Sequence, residues 1–333
     1  MKKLIIIPLL LMSLTLASCG NEQEPARKTI YAMDTAAMFT VYGNNADAAI
    51  SAAEEEIHRL DALLSRSGEH GDIYPLNESG AGTVSDESAY IIKTALDVSH
   101  ETDGAFDITI TPLMDAWGFF GQEYRVPSDA EISELLTRVD YNNVTLDGNN
   151  VTLNNNAAID LGGIAKGYAS ENAMQVLKDN GVTSALISFS SAINAIGKKP
   201  DGDAWTIGIA NPQNPEEYIV MLAIADTCVA TSGSYEQVFK ENGKTYHHIL
   251  DPSTGYPTDN GLASVSVIGS NPTRADALST ALFVKGLDGA TEFWRSNGGF
   301  EAVFITDSGE IYYTPGLEGS IFATNGQELK IIE

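Results

Sequence analysis

Residues 244–257, KTYHHILDPSTGYP, hold two of the five histidines in a chain of 333 residues. The β-forming residues predict a strand, along which successive side chains point to opposite faces. His247 and His248 therefore cannot both serve one site, so one is a catalytic candidate and the other faces the core or solvent. Asp251 precedes Pro252, which favours an extended backbone, and the following Ser-Thr-Gly run suits a tight turn. The stretch predicts a strand that delivers an imidazole and a carboxylate to a sharp corner. A packed histidine followed by a plain loop is the alternative.

The N-terminus has the composition of a secretory signal peptide. Residues 1–18 contain two lysines, an apolar run and small residues at the end, and the run is too short to span a membrane. The sequence LASC at 16–19 resembles the bacterial lipobox, in which the cysteine carries lipid. We therefore expect a signal peptide over 1–18, a tether over 19–28 lipidated at Cys19, and one domain over 29–333. Such a protein is exported and anchored to the extracytoplasmic side of a bacterial membrane, with an uncleaved anchor as the alternative.

The chain is strongly acidic, with 45 acidic and 19 basic residues and a formal net charge of −26. A surface of this charge repels polyanions, which argues against a nucleic-acid partner. An anionic small ligand would need a local counter-charge, most simply a divalent cation. Past Cys19 the remaining cysteine is Cys228, so we expect no structural disulfide.

Hydrophobic spacing predicts a chain that mixes helices and strands. Asp107 is expected on a strand or at its mouth, and a buried strand is expected to stop at Asp160. The tail over 300–333 is expected to form hairpin strands. The predicted helices cover 45–65, 85–99, a segment from 128, 165–180 and 272–286. Further strands are predicted over 29–43 with a break at 33–35, in a surface hairpin around Val144 and Val151, and over 184–197, 205–210 and 218–225.

Two further segments contain residue types that suit anion or metal binding. In residues 157–170, AAIDLGGIAKGYAS, glycines precede a helix N-terminus and can expose backbone amides to an anion. The run lacks the spacing of known phosphate loops, and a tight strand-to-helix turn is the alternative. In residues 272–286, PTRADALSTALFVKG, Asp276 and Thr280 share one helix face. Their oxygens suit Mg²⁺, and the alternative is an exposed polar face.

Five sequence blocks, in their order and spacing, resemble the ApbE family of FAD:protein FMN transferases. The resemblance covers most of the chain after the signal. It implies a two-lobed α+β fold, related to the T-fold, that binds FAD in the cleft between the lobes. The blocks are MDT at 33–35, DGAFD at 103–107, DLGGIAKG at 160–167, HILDPSTGYP at 248–257 and ADALST at 275–280.

The resemblance also implies a role for each site residue. His248 corresponds to the family's proposed base, and Asp276, Thr280 and the backbone carbonyl of Gly163 would bind Mg²⁺. The family reaction moves FMN from FAD to a Ser or Thr hydroxyl in a motif of an exported flavoprotein and releases AMP. The residues that would line the FAD site are Met33, Ala105, Phe106, Asp107, Asp160, Lys166 and Ile249.

This chain departs from the family pattern at three places. Ser190-Ser191-Ala192 replaces a Gly-Gly-Asn or Gly-Gly-Asp element, which can narrow the flavin pocket because glycine permits close backbone approach. Ser67 replaces an aromatic residue after the first helix. Ser279 replaces a carboxylate that some relatives place beside the metal, which predicts weaker Mg²⁺ binding.

The main hypothesis is a lipid-anchored, Mg²⁺-dependent FMN transferase. One alternative is an FAD pyrophosphatase that passes FMN to water, and another is a lipoprotein that binds flavin without catalysis. An inert scaffold or adhesion protein is the non-enzymatic alternative from a third class.

Overall fold

The computed structural model describes residues 24–121, 123–324 and 326–333. The predicted signal peptide and Cys19 lie outside this range. Within the described residues, none of the helices combines the length and the apolar character that crossing a membrane requires.

Helices and strands are mixed along the chain, as the hydrophobic spacing predicts. Short 3₁₀ turns lie at Ile108–Ile110, Tyr141–Asn143 and Pro315–Leu317. The α-helices are α1 (Ala46–Leu64), α2 (Ile73–Ser79), α3 (Asp86–Glu101), α4 (Thr111–Trp117), α5 (Asp129–Leu136), α6 (Ala165–Asp179) and α7 (Pro272–Asn297). The strands are β1 (Ala26–Ala32), β2 (Thr35–Tyr42), β3 (Ala81–Thr83), β4 (Val144–Asp147), β5 (Asn150–Leu153), β6 (Ser184–Phe189), β7 (Ala192–Ile196), β8 (Trp205–Asn211), β9 (Asn214–Ile224), β10 (Cys228–Gly233), β11 (Val238–Glu241), β12 (Lys244–His247), β13 (Leu262–Gly269), β14 (Glu301–Thr306), β15 (Ile311–Tyr313), β16 (Ile321–Ala323) and β17 (Leu329–Ile331).

A nine-stranded sheet in the order β1-β2-β6-β7-β10-β13-β14-β15-β17 forms the centre of the described chain. Neighbouring strands are antiparallel except β15 and β17, which are parallel. The predicted tail of hairpin strands is therefore correct only for β14 and β15. β16 leaves the tail to pair with β9 in a separate sheet of order β16-β9-β8.

Both faces of the large sheet are covered. Helices α1, α6 and α7 pack on one face, and α1 buries Ile50, Ile57 and Leu60 there. The smaller β16-β9-β8 sheet packs on the other face, where Ile207 and Leu222 join Ile268 of β13 in a second cluster. The central strand β13 is buried on both faces because it lies between these two layers. The α+β fold class is confirmed.

The structure departs from the predicted elements at three places, and hydrogen bonds explain two of them. The hairpin β4-β5 gains a third strand, β3. The segment before Asp160 is extended without a strand neighbour because the carboxamide of Asn77 bonds to both the N–H and the C=O of Ile159, each at 2.8 Å. Helix α7 runs past its predicted end through a break at Gly286 (φ 71°). There Asn260 Nδ2 donates to the carbonyl of Phe283 at 2.7 Å, which satisfies an acceptor that the break frees.

Candidate active site

One cavity of about 680 Å³ collects every residue that the sequence analysis proposed for the site, apart from Cys19. Aromatic and charged side chains both line its wall. The predicted residues that line it are Met33, Ala105, Phe106, Asp107, Asp160, Gly163, Lys166, His248, Ile249, Asp276 and Thr280.

His248 follows β12 and lies in the cavity wall. Its Nδ1 is 3.1 Å from the backbone carbonyl oxygen of Glu236, which only accepts hydrogen bonds. Nδ1 therefore carries the proton in the neutral imidazole, and Nε2 keeps its lone pair. Burial lowers the pKa of His248 to about 4, against the weaker opposing effect of the Glu236 hydrogen bond. The imidazole is thus held neutral at pH 7, the form that can accept a proton.

His247 points the other way, as the alternation of a strand predicts. Its side chain is buried, and its ring meets that of Phe283 edge-on at 5.8 Å between centroids. Ile249 N–H donates to Nδ1 at 3.2 Å, so Nε2 carries the proton that it donates to the carbonyl of Thr258 at 2.9 Å. The two adjacent histidines therefore hold opposite tautomers, and His247 packs the core.

The corner after His248 is built as the sequence predicts. Oδ1 of Asp251 accepts hydrogen bonds from the backbone N–H and the hydroxyl of Ser253, at 2.8 and 2.7 Å. The backbone of Gly255 has φ 76°, and a Cβ there would lie 2.6 Å from Ile132. Trp117 Nε1 donates to the carbonyl of Gly255 at 2.9 Å. These contacts fix the corner beside the cavity.

Asp276 and Thr280 line the cavity from one face of α7. Oδ2 of Asp276 accepts a hydrogen bond from the N–H of Gly167 on α6 at 2.9 Å. Asp276 is only 4% exposed, so the alternative of an exposed polar face is wrong, because α6 packs against this part of α7. Burial raises the pKa of Asp276, and the charge of Lys166 opposes that rise.

Neutral hydroxyl groups lie on and against the same segment of α7 as this buried carboxylate. Thr280 Oγ1 lies 3.1 Å from Ser232 Oγ, and Ser279 Oγ donates to the carbonyl of Asp276 at 2.8 Å. A Cβ added to Gly163 would lie 3.9 Å from Thr280 Oγ1, so the glycine backbone passes close to that hydroxyl. The described residues contain no group of three or more His, Cys, Asp or Glu side chains that could hold a metal ion.

This donor set fits Mg²⁺. One carboxylate, one hydroxyl and one backbone carbonyl are hard oxygen donors, and Mg²⁺ is commonly held by one or two carboxylates while substrate phosphates take other positions. A buried carboxylate with a raised pKa is also stabilised by a cation beside it. Gly163, Asp276 and Thr280 are therefore the residues that would hold the ion.

Asp107 and Asp160 organise the backbone of the cavity wall. The prediction that Asp107 lies on a strand or its mouth is wrong, because it caps the 3₁₀ turn that starts at Ile108. Its Oδ1 accepts from Thr109 N–H at 2.7 Å and its Oδ2 from Tyr141 N–H at 2.8 Å. Asp160 accepts from Gly162 N–H at 2.6 Å. Burial raises the pKa of both carboxyls.

Two charged residues, one beside the cavity and one in its wall, were not predicted from the sequence. Arg66 pairs with Asp115, lies 3.5 Å from Asp160, and places its guanidinium 3.9 Å from the ring centroid of Phe120. Glu236 lines the cavity, and burial raises the pKa of its carboxyl. Both are isolated charges without a sequence motif. The polar run that follows β10 was the only available signal for Glu236.

Comparison with known proteins identifies the family. The ApbE family profile matches residues 33–304. The chain belongs to the ApbE family. The FAD:protein FMN transferase of Treponema pallidum is 30% identical over 328 residues, which cover 90% of this chain and 90% of that protein. The enzyme of the same name from Escherichia coli K12 is 28% identical over 330 residues, covering 92% and 94%.

Solved ApbE structures share the fold. The ApbE protein of Thermotoga maritima superposes with a TM-score of 0.82 at 34% identity, covering 86% of this chain and 96% of that chain. The apo form of the flavinyl transferase ApbE of Pseudomonas stutzeri gives 0.77 at 28% identity, covering 91% and 95%. The predicted ApbE-like fold is confirmed.

Some residues that depart from the ApbE pattern line the cavity, and others are buried. Ser190 and Ser191 line the cavity at the turn between β6 and β7, and Ser190 has φ 48°. This backbone region favours glycine, which agrees with the glycine expected there. Ala192 is buried in the core at 3% exposure. Ser67 lines the cavity, whereas Ser279 is buried on α7.

Proposed function

We propose that this ApbE protein is a Mg²⁺-dependent FAD:protein FMN transferase that moves FMN from FAD to a Ser or Thr hydroxyl of an exported flavoprotein and releases AMP. The observation that carries the proposal is the convergence of three groups on one cavity: a neutral His248 whose Nε2 keeps its lone pair, the cation of Lys166, and the oxygens of Asp276 and Thr280. The names of the relatives supply the transferase class.

The cavity suits a ligand with an aromatic end and a charged centre. Phe106, Phe119 and Phe120 line the wall and offer ring faces to an aromatic ring system. Lys166 also lines the wall, and its Nζ donates to the carbonyl of Gly162 at 3.0 Å. In a chain with net charge −26, this ammonium is a local attraction for phosphate.

We assign His248 the role of receiving the proton of the attacking hydroxyl. As the acceptor oxygen bonds to the phosphorus of the FMN half, its proton moves to Nε2 of His248. The bond between that phosphorus and the bridging oxygen breaks, and AMP leaves with the electron pair. The Nδ1–H of His248 continues to donate to the Glu236 carbonyl, which orients the ring throughout. When bound at Gly163, Asp276 and Thr280, Mg²⁺ supplies charge neutralisation at the pyrophosphate.

The test follows both products in one reaction. Purified protein is incubated with FAD and Mg²⁺, with and without synthetic peptides that each carry one central Thr or Ser. We expect AMP release to match the amount of peptide that gains the mass of FMN. AMP and free FMN in equal amounts, with all peptides unlabelled, would show a pyrophosphatase. FAD binding without either product would show a binding protein.

We further propose export and lipid anchoring through Cys19. The support is the composition of residues 1–18 and the LASC sequence at 16–19. A single acyl chain gives marginal membrane binding, and more than one is needed for a stable anchor. Cys19→Ser is expected to move the protein from the membrane fraction to the soluble fraction. Retention of the processed variant in membranes would contradict the proposal.

A further inference from the structure

We propose that the acceptor polypeptide docks as an extended strand along the outer edge of β11, and that acidic residues flank its reactive hydroxyl. This inference rests on the proposed transferase function and specifies how the protein substrate is held. It uses the hairpin formed by β11 and β12, which leads directly into the active-site cavity.

The outer edge of β11 presents backbone groups that are free to pair. β11 and β12 form an isolated two-stranded sheet joined by Asn242 (φ 50°) and Gly243 (φ 80°). Positive φ at both residues defines a type I′ turn, and the ladder of such a hairpin alternates bonded and non-bonded pairs. Phe239 is therefore bonded to Tyr246, while the N–H and C=O of Val238 and Lys240 point away from β12. No other backbone group in residues 24–121, 123–324 and 326–333 bonds to them.

Strand β11 begins beside the catalytic machinery. Two residues before Val238, the carbonyl of Glu236 accepts the hydrogen bond that orients His248. Glu236 and Gln237 both line the cavity, and Gln237 turns the chain with φ 39° directly before β11. A segment paired with Val238 has its next residues beside these two cavity residues. An added strand would therefore carry its hydroxyl toward the base.

Aromatic contacts anchor one face of the hairpin to the domain. Phe239 stacks on Tyr124 with an interplanar angle of 5° and a centroid distance of 5.1 Å. Phe239 also meets Trp117 at 6.3 Å and Phe119 at 5.8 Å. These contacts hold one face of β11 against the domain, so the edge itself is left available. Strand addition uses such an edge for affinity and pockets beside it for specificity.

The charge of the β11–β12 hairpin indicates which kind of acceptor segment it would bind. Lys240 and Lys244 are both exposed on this hairpin, which contains one acidic residue, Glu241. The hairpin is thus locally basic in a chain of net charge −26. Val238 is 41% exposed and offers an apolar contact on the same face as Lys240. An extended, acidic acceptor segment with β-branched residues complements this edge, whereas a basic segment would meet like charges.

The deciding variant is Lys240→Pro. Proline removes an outward N–H and leaves the ladder between β11 and β12 intact. Synthetic peptides with one central Thr, β-branched neighbours and either acidic or basic flanks serve as acceptors, and FMN labelling gives KM and kcat. We expect the KM of the acidic peptides to rise about tenfold, the equivalent of one lost hydrogen bond, with kcat and FAD affinity unchanged.

Two matched controls isolate the edge. Thr29→Pro removes an outward N–H from β1, the edge strand of the large sheet, and is expected to keep the wild-type KM. Lys240→Ala keeps the N–H and removes the charge. It is expected to reduce the preference for acidic over basic peptides.

Hydrogen exchange provides a readout that does not depend on variants. Saturating acidic peptide is expected to slow amide exchange at Val238 and Lys240 in the wild-type protein. Unchanged exchange there overturns the docking proposal, even if Lys240→Pro fails to fold. Labelled peptides with an unchanged KM in a folded Lys240→Pro overturn docking alone. AMP release with every peptide unlabelled overturns the proposed transferase function and docking with it.

Discussion

The backbone N–H of Gly167 on α6 donates to Oδ2 of Asp276 on α7 at 2.9 Å. A Cβ on Gly167 would lie 2.3 Å from the carbonyl oxygen of Pro272 and 2.8 Å from Cβ of Asp276. The absence of a side chain at Gly167 thus sets the distance between the two helices. The same contact fixes one oxygen of the carboxylate that faces the cavity.

Gly167→Ala is expected to separate α6 and α7 and to release Asp276. Overpacking of this kind costs about 1–3 kcal/mol, and AMP release from FAD should fall with it. Thermal unfolding and the Mg²⁺-dependent shift in Tm measure the two effects. Gly289→Ala, on the same helix as Asp276, is the control. The nearest atom to its Cβ is Cβ of Lys285 at 3.3 Å, a milder contact than those at Gly167, and the helix propensity of alanine offsets it, so stability should change little. Equal outcomes for both variants would contradict the packing argument.

Asp276→Asn is expected to abolish AMP release while the protein stays folded. The amide oxygen can still accept from Gly167 N–H, but the charge that binds Mg²⁺ is lost. Tm without metal should be maintained or raised, because a buried negative charge is removed, and added Mg²⁺ should no longer raise Tm. Asp288→Asn, at an exposed position of α7, should behave as wild type. Full turnover by Asp276→Asn, or by wild type in excess EDTA, would rule out the metal proposal.

The sequence predicted which side chains share a face, but not how deeply they are buried. The i, i+4 spacing of Asp276 and Thr280 is enough to place both on one side of α7. The burial of Asp276 depends on the approach of α6 at Gly167, a contact between helices more than one hundred residues apart in the chain. Local alternation similarly separates His247 from His248.

The errors in the prediction share a physical cause. The segment before Asp160 has the apolar composition of a strand, yet the side chain of Asn77 occupies the place of a neighbouring strand. Arg66 has no local motif, because its partners Asp115 and Asp160 lie far along the chain. Non-local hydrogen bonds decide both cases, and hydrophobic periodicity does not contain that information.

His248→Gln is expected to separate chemistry from binding. Loss of a general base lowers the rate by about 10²–10⁴-fold, so AMP release should fall while FAD affinity in Mg²⁺ is retained. His247→Ala should lower stability and leave the rate unchanged. It leaves the Thr258 carbonyl and the Ile249 N–H without a partner, which costs about 1–3 kcal/mol of stability, and the rate of the folded fraction should remain. Equal rate losses in the two variants would refute the assignment of the base.

The pH dependence of stability follows from the lowered pKa of His248. The folded state binds fewer protons at this imidazole than the unfolded state between the folded pKa of about 4 and the usual value of 6.5. Its contribution to stability is therefore present above pH 6.5 and is lost as the pH falls toward 4. His248→Gln should lose less stability over this window, by up to about 1.4 kcal/mol per pH unit. Urea unfolding of both proteins at several pH values measures the difference, and parallel curves would contradict the burial of His248.

Ser190→Gly tests how the cavity wall at Ser190, the flavin seat, affects the competition between a protein hydroxyl and water for FMN. The two routes share His248, Lys166 and the leaving AMP, so the difference lies in how well the acceptor hydroxyl is positioned at the phosphorus. Ser190 lines the cavity with φ 48°, and glycine removes both its side chain and the cost of that conformation, about 1 kcal/mol. We expect a modest gain in stability and a higher ratio of FMN-labelled peptide to free FMN. Wild type is expected to label the peptide as well, at a lower ratio.

The matched control for Ser190→Gly is Asn156→Gly, which relieves a similar backbone (φ 55°) outside the cavity. Because asparagine tolerates this backbone well, stability should change little, and the product ratio should stay as in wild type. Ala192→Asn should not be combined with Ser190→Gly, because Ala192 is buried and an unpaired amide there would destabilise the core. If both glycine variants shift the ratio equally, the flavin seat does not control the competition. If free FMN matches AMP in every protein and no peptide is labelled, water is the acceptor and the chain is a pyrophosphatase.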